Sequence, residues 1–149
     1  MLPIVMSQSM TTYHFKEFMK PGRMKANELR IGSWIYIPQT KTNEQIGVIE
    51  ENGRFTTKGY KSSYSSIECL EPIPLTEEWL LKFGFEKNDN NQFILMEGSV
   101  DILFNKDLNG WTCDGINFSI NMTEHVHQLQ NLYFVLTGKE LTFKQQDND

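Results

Sequence analysis

The chain has 149 residues, 39% hydrophobic and 12% aromatic, which is enough apolar material for a folded core and too much for a disordered chain. Its net charge of −5 is unevenly spread, with five Lys/Arg against two acids in residues 1–30 and nine against seventeen in residues 31–149. An acidic folded body argues against general duplex DNA binding, and no stretch approaches the roughly 18 apolar residues of a membrane span.

Residues 1–23, MLPIVMSQSMTTYHFKEFMKPGR, have no sustained period and end in the turn pair Pro21-Gly22. They lack the charged start of a signal peptide and read as a flexible extension, with Met24 as the expected start of the domain. The alternative is a short helix with an apolar stripe of Phe15, Phe18 and Met19.

Residues 24–74 carry the marks of short strands. SWIYI alternates Trp34 and Tyr36 with Ile35 and Ile37, and Pro38 stops it. QIGVIEENGRFTT places Asn52-Gly53 between two β-type runs, a signal for a two-residue hairpin turn with positive φ at both positions. YSSIECL closes the group, and four or five short strands in so few residues predict a small SH3-like barrel.

Residues 75–149 predict an α+β subdomain. PIPLTEEWLLKFGF reads as a helix with both ends encoded: Thr76 as N-cap, Glu77 and Glu78 at the positive end of the dipole, and a Leu75/Leu80 staple. Gly84 and Phe85 would end it in a Schellman motif. QFILM, VDILF, WTC and INFSI then predict a four-stranded antiparallel meander, with Ile116, Phe118 and Ile120 on one face of its last strand. A helix capped by Thr123 and ended by Gly138 would cover the dry face, using Val126, Leu129, Tyr133 and Leu136 with Leu132 and Phe134 widening the stripe. The polar tail KQQDND reads as frayed.

Few residue constellations point to chemistry. His125 and His127 would share a face on a strand but point about 200° apart on a helix, so the helical reading assigns them no metal. Gln128, Gln130 and Asn131 read as a solvated polar face, with a recognition surface as the alternative. Cys69 and Cys113 stand in no metal-binding spacing and fit reduced thiols of a cytoplasmic protein. Phosphate-loop, GxGxxG, GxSxG and HExxH patterns do not occur, and a Cys113–histidine pair is a weak candidate for a nucleophile. The sequence therefore names no catalytic residue, no metal ligand and no cofactor. The stretch TTKGYKSSYSS is the exception, because it interleaves aromatics with cations. Lys58, Tyr60, Lys61 and Tyr64, with Trp34 and Tyr36 on a neighbouring strand, form the candidate binding surface, for protein or peptide first and single-stranded nucleic acid second.

Three blocks, MKANELRIGSWIY, EPIPLTEEWLLKFGF and HVHQLQNLYFVLTGKELT, resemble a family of small proteins common in phages and prophages of gut Bacteroidales. They anchor residues 24–37, 71–85 and 125–142, while residues 1–23 depart from the pattern. The resemblance implies a phage-related accessory role and brings no catalytic residues. The expectation is a non-enzymatic protein-binding module of the host-cell cytoplasm, with nucleic-acid binding as the alternative and a small hydrolase last.

Overall fold

The computed structural model describes residues 24, 26–59, 66–98, 100–107, 110–114, 119–121 and 124–144. The expected extension 1–23 and the tail beyond Lys144 lie outside them. The chain is mixed α and β, with two antiparallel sheets and few helices.

The first sheet has the order β1 (Trp34–Ile37), β2 (Thr42–Ile49) and β3 (Phe55–Thr57). It is open among the described residues, where the sequence predicts a barrel. A 3-10 turn at Ala26–Glu28 precedes it and another at Ile67–Cys69 follows. Strand β1 ends before Pro38 as expected, and Lys41, at φ 58°, starts the return into β2.

The β2–β3 connection differs from the expected turn. Gly53 has φ 79° while Asn52 does not have positive φ. The Gly53 amide donates to the Glu50 carbonyl (3.0 Å), and the Glu50 amide donates to the Arg54 carbonyl (2.8 Å). A three-residue loop built on a type I turn needs only the last residue left-handed, so the glycine alone meets the requirement. Farther down the ladder the register skips between Ile46 and Val48. A Cβ on Gly47 would lie 3.1 Å from the Thr57 carbonyl carbon and 3.2 Å from the Lys58 nitrogen, so the glycine permits this close strand approach.

The second sheet runs in sequence order: β4 (Glu86–Lys87), β5 (Phe93–Glu97), β6 (Val100–Asp107), β7 (Gly110–Asp114) and β8 (Ser119–Asn121). The predicted meander has four strands, and β4 is the addition. A turn at Asn88–Gln92 attaches it: the Asn88 carboxamide oxygen accepts the Asn90 and Gln92 amides, and Asn91 is left-handed at φ 59°. Ile116 and Phe118 lie outside the described residues.

Helix α1 (Glu77–Lys82) ends as its sequence predicts. The Phe85 amide donates to Leu80 (3.0 Å) and the Gly84 amide to Leu81 (2.9 Å), with Gly84 at φ 88°, which are the paired bonds of a Schellman motif. Thr76 occupies the N-cap in extended backbone, but its side chain accepts no capping bond. Helix α2 (Val126–Thr137) has His125 at its N-cap, two residues after the predicted Thr123. Gln128 Oε1 accepts the Glu124 and His125 amides, and extended His125 forms an antiparallel bridge with Pro74 (Leu75 N–H to Glu124 O, 2.8 Å; Val126 N–H to Ile73 O, 2.9 Å). Gly138, left-handed at φ 70°, closes the helix as expected.

Two hydrophobic cores result. One gathers Ile35, Ile37, Ile46, Phe55, Ile67 and Leu70 with Met24 and Leu29. The other joins α1, the second sheet and α2 through Leu80, Phe85, Phe93, Phe104, Trp111, Val126 and Leu129. Successive side chains of a strand point to opposite faces, so β1 serves both: Ile35 and Ile37 enter the first core, while Trp34 and Tyr36 pack on the second. The expected halves at 24–74 and 75–149 thus share one strand as a common wall.

Candidate functional site

The predicted binding residues on β1 are turned inward. Trp34 stacks on Phe143, ring centroids 4.9 Å apart with an interplanar angle of 23°, and lies 5.5 Å from the Trp79 ring. Tyr36 is half-buried against the same core, and its backbone exchanges two 3.0 Å bonds with Glu71. Lys58 is exposed, and its Nζ donates to Gln45 Oε1 (3.2 Å) on the strand paired with Trp34. Tyr60, Lys61 and Tyr64 lie outside the described residues. Trp34 and Tyr36 therefore share one face of β1, with Lys58 reaching the adjoining strand.

Residues 139–144 form a strap over the Trp34 ring. Leu141 enters the core, the Phe143 ring meets Trp34, Trp79 and Phe83, and the Lys144 amide donates to the Lys82 carbonyl at the end of α1 (2.9 Å). At its other end Glu140 pairs with Arg30, whose guanidinium lies 3.7 Å over the Phe134 ring. Phe134 is exposed here, whereas the sequence places it in the buried stripe. Beneath the strap runs a cleft of about 330 Å³, bordered by Leu95, Glu97, Tyr133 and Phe143. The Lys139 ammonium holds the Glu97 carboxyl below the usual carboxylate range.

The three amides of α2 are structural, contrary to a solvated face. Gln128 caps the helix. Gln130 is buried: its Oε1 accepts the Trp34 amide (2.8 Å) and its Nε2 donates to the Gly32 carbonyl (2.9 Å). Asn131 Nδ2 donates to the Glu28 carbonyl (2.7 Å). Positions 127, 130 and 131 follow the i, i+3, i+4 spacing of one helix face. That polar stripe beside the apolar one was the sequence signal for a seam facing the first sheet.

His127 lies in this seam, 1% exposed, with neither ring nitrogen hydrogen-bonded by the described residues. Because His125 is the extended N-cap, the helical 200° separation does not apply, and the two rings stack with centroids 5.7 Å apart. The Glu28 carboxylate stands 3.9 Å from His127 Nε2. Burial, then the neighbouring His125, pushes the His127 imidazole down to about 4, with Glu28 opposing. Among the described residues no three His, Cys, Asp or Glu side chains are placed to hold a metal ion.

The two thiols differ. Cys69 is exposed, while Cys113 is buried in β7 and its thiol is pushed up to about 11, by burial first and the Asp114 carboxylate second. Such a thiol is protonated at neutral pH and is a poor nucleophile. No helix among the described residues is long and apolar enough to cross a membrane. No protein-family model, curated protein or solved structure matches the chain.

Proposed function

We propose that the chain is a non-enzymatic, phage- or prophage-related accessory protein of the host cytoplasm that works by docking another protein. One observation carries the docking part of this reading: Val135 is 79% and Ile31 60% exposed, each next in sequence to a member of the Phe134–Arg30 pair, in which the guanidinium covers the ring. Large apolar side chains in water beside an Arg and an aromatic ring have the composition of protein interfaces. The finer reading of the first sheet as an SH3-like barrel belongs to the same proposal. It is supported by short strands and by the skip at Ile46/Val48, since bulges are how small sheets bend toward closure.

The test compares tagged wild type with an Ile31→Glu/Val135→Glu variant at physiological salt. A phage or host protein that co-purifies with wild type and is lost from the variant, at an unchanged unfolding midpoint, is the expected result. Equal recovery from both proteins sinks the assignment of this surface.

Single-stranded nucleic acid is the second reading, and Lys58, exposed beside Tyr60, Lys61 and Tyr64 in the sequence, favours it. The packing of the Trp34 and Tyr36 rings on the second core weakens it, because base stacking needs an open ring face. Fluorescence anisotropy with a short labelled strand decides it: binding that collapses with added salt supports the reading, and no binding removes it.

A further inference from the structure

The seam between α2 and the 3-10 turn Ala26–Glu28 contains polar atoms that neither neighbour satisfies. His127 Nδ1, His127 Nε2 and Asn131 Oδ1 are all buried, and none has a hydrogen-bond partner among the described residues. His127 and Asn131 stand at i and i+4, so the three atoms lie on adjoining turns of one helix face. Buried polar atoms without partners favour a state in which water reaches them. The same seam is bridged by two direct links from that helix face, Asn131 to the Glu28 carbonyl and Gln130 to Gly32 and Trp34.

We infer that His127 is an acid-triggered latch: proton uptake by its imidazole opens the seam and releases residues 26–36 from α2 while the second core stays folded. Two titratable side chains face the imidazole among the described residues, Glu28 from the 3-10 turn and His125 from the N-cap. Burial opposes proton uptake most, a charged His125 adds to that opposition, and the Glu28 carboxylate draws the proton in. An imidazolium formed here has one carboxylate 3.9 Å away and no hydrogen-bond acceptor already in place among the described residues, whereas in the open state water supplies acceptors to both nitrogens. Release frees the Trp34 amide and the Gly32 carbonyl from Gln130 and so loosens the strand that carries the Trp34 ring. The latch stands independently of the docking role proposed above.

Hydrogen–deuterium exchange on the full chain, corrected for the intrinsic pH dependence, tests it. Between about pH 7 and about pH 5 the opening of residues 26–36 should rise about twentyfold in wild type, the linkage expected from the two protonation equilibria. It should stay flat in His127→Phe, and residues 100–107 should remain protected in both. An equal rise in the variant, or none in wild type, overturns the latch. Should His127→Phe fail to fold, an NMR titration of the wild-type and Glu28→Gln imidazoles gives the answer. Half-protonation far below the ordinary histidine range, moved lower still by Glu28→Gln and accompanied by shifts at Gly32 and Trp34, supports it. An ordinary titration that Glu28→Gln leaves in place overturns it.

Discussion

Gln130 of α2 and Trp34 of β1 are 96 residues apart in sequence, yet a 2.8 Å bond joins the carboxamide oxygen of one to the amide of the other. The same carboxamide donates to the Gly32 carbonyl, so one buried side chain satisfies both a donor and an acceptor at the start of β1. Replacing it by Leu keeps the volume but leaves the Trp34 amide buried without a partner, whereas Gly32 retains a bond from Gln45 Nε2 (3.1 Å). The expected cost of Gln130→Leu is about 2–3 kcal/mol, the penalty of one orphaned buried amide plus lost bonding. Urea unfolding checks it, and a midpoint equal to wild type would show that the amide finds another partner.

That bond also marks where the sequence ceases to be readable. Helix α1 was legible because its end signals are local: Gly84 and Phe85 stand a fixed distance from Leu80 and Leu81, and only the local chain is needed to form the motif. The dry face of α2 was legible at Val126, Leu129 and Tyr133 for the same reason, since periodicity alone selects a buried stripe. A second buried stripe of His127 and Gln130 was hidden, because polar residues on a helix read as solvated until a partner element is known. Trp34 and Tyr36 misled in the opposite sense. Alternation located them on one face of β1, but whether that face meets water or a second core is decided by distant residues, Trp79 and Phe143 against the Trp34 ring among them. Strand β4 has only two residues, too few for any period to declare it.

Gly47→Ala should destabilise the chain through backbone crowding alone. Gly47 does not have positive φ, so strain in the backbone is not the reason. The added methyl would meet Thr57 and Lys58 main-chain atoms at 3.1–3.2 Å, and a hydrogen-bonded strand yields poorly. The expected loss is about 1–2 kcal/mol, the range for overpacking at a fixed contact. Gly59→Ala is the matched control, because its Cβ would meet nothing within 4 Å. Its midpoint should move by no more than about 0.5 kcal/mol. Equal effects at the two glycines would remove close strand approach as the explanation.

His127 makes stability depend on pH in a definite direction. Its folded value, about 4, lies below the ordinary 6.5, so the unfolded chain binds the proton more readily than the folded one. The stabilisation is therefore fully present above about pH 6.5 and drains away as pH falls from there toward about 4. On the order of 3 kcal/mol is at stake if the whole shift is expressed. Urea midpoints measured across that window should fall in wild type and fall less in His127→Phe. Parallel curves would assign the acid loss to other groups.

Phe143 holds the strap to the second core, so truncating it should loosen a contact that the tryptophans report. Its ring lies 4.9 Å from Trp34, 5.2 Å from Phe83 and 5.7 Å from Trp79, although 39% of it remains exposed. Aromatic pairing and partial burial together place the cost of Phe143→Ala at about 1–2 kcal/mol. Trp34 and Trp79 would then face water, and the folded protein's tryptophan emission should shift to the red. Phe134→Ala is the comparison, since that residue is equally exposed and the Arg30 guanidinium lies over its ring. A cation–π pair at an exposed site contributes about 0.5–1 kcal/mol, so this variant should lose less stability and leave the emission in place. A red shift in Phe134→Ala, or none in Phe143→Ala, would mean that the Phe143 ring does not shield the indoles.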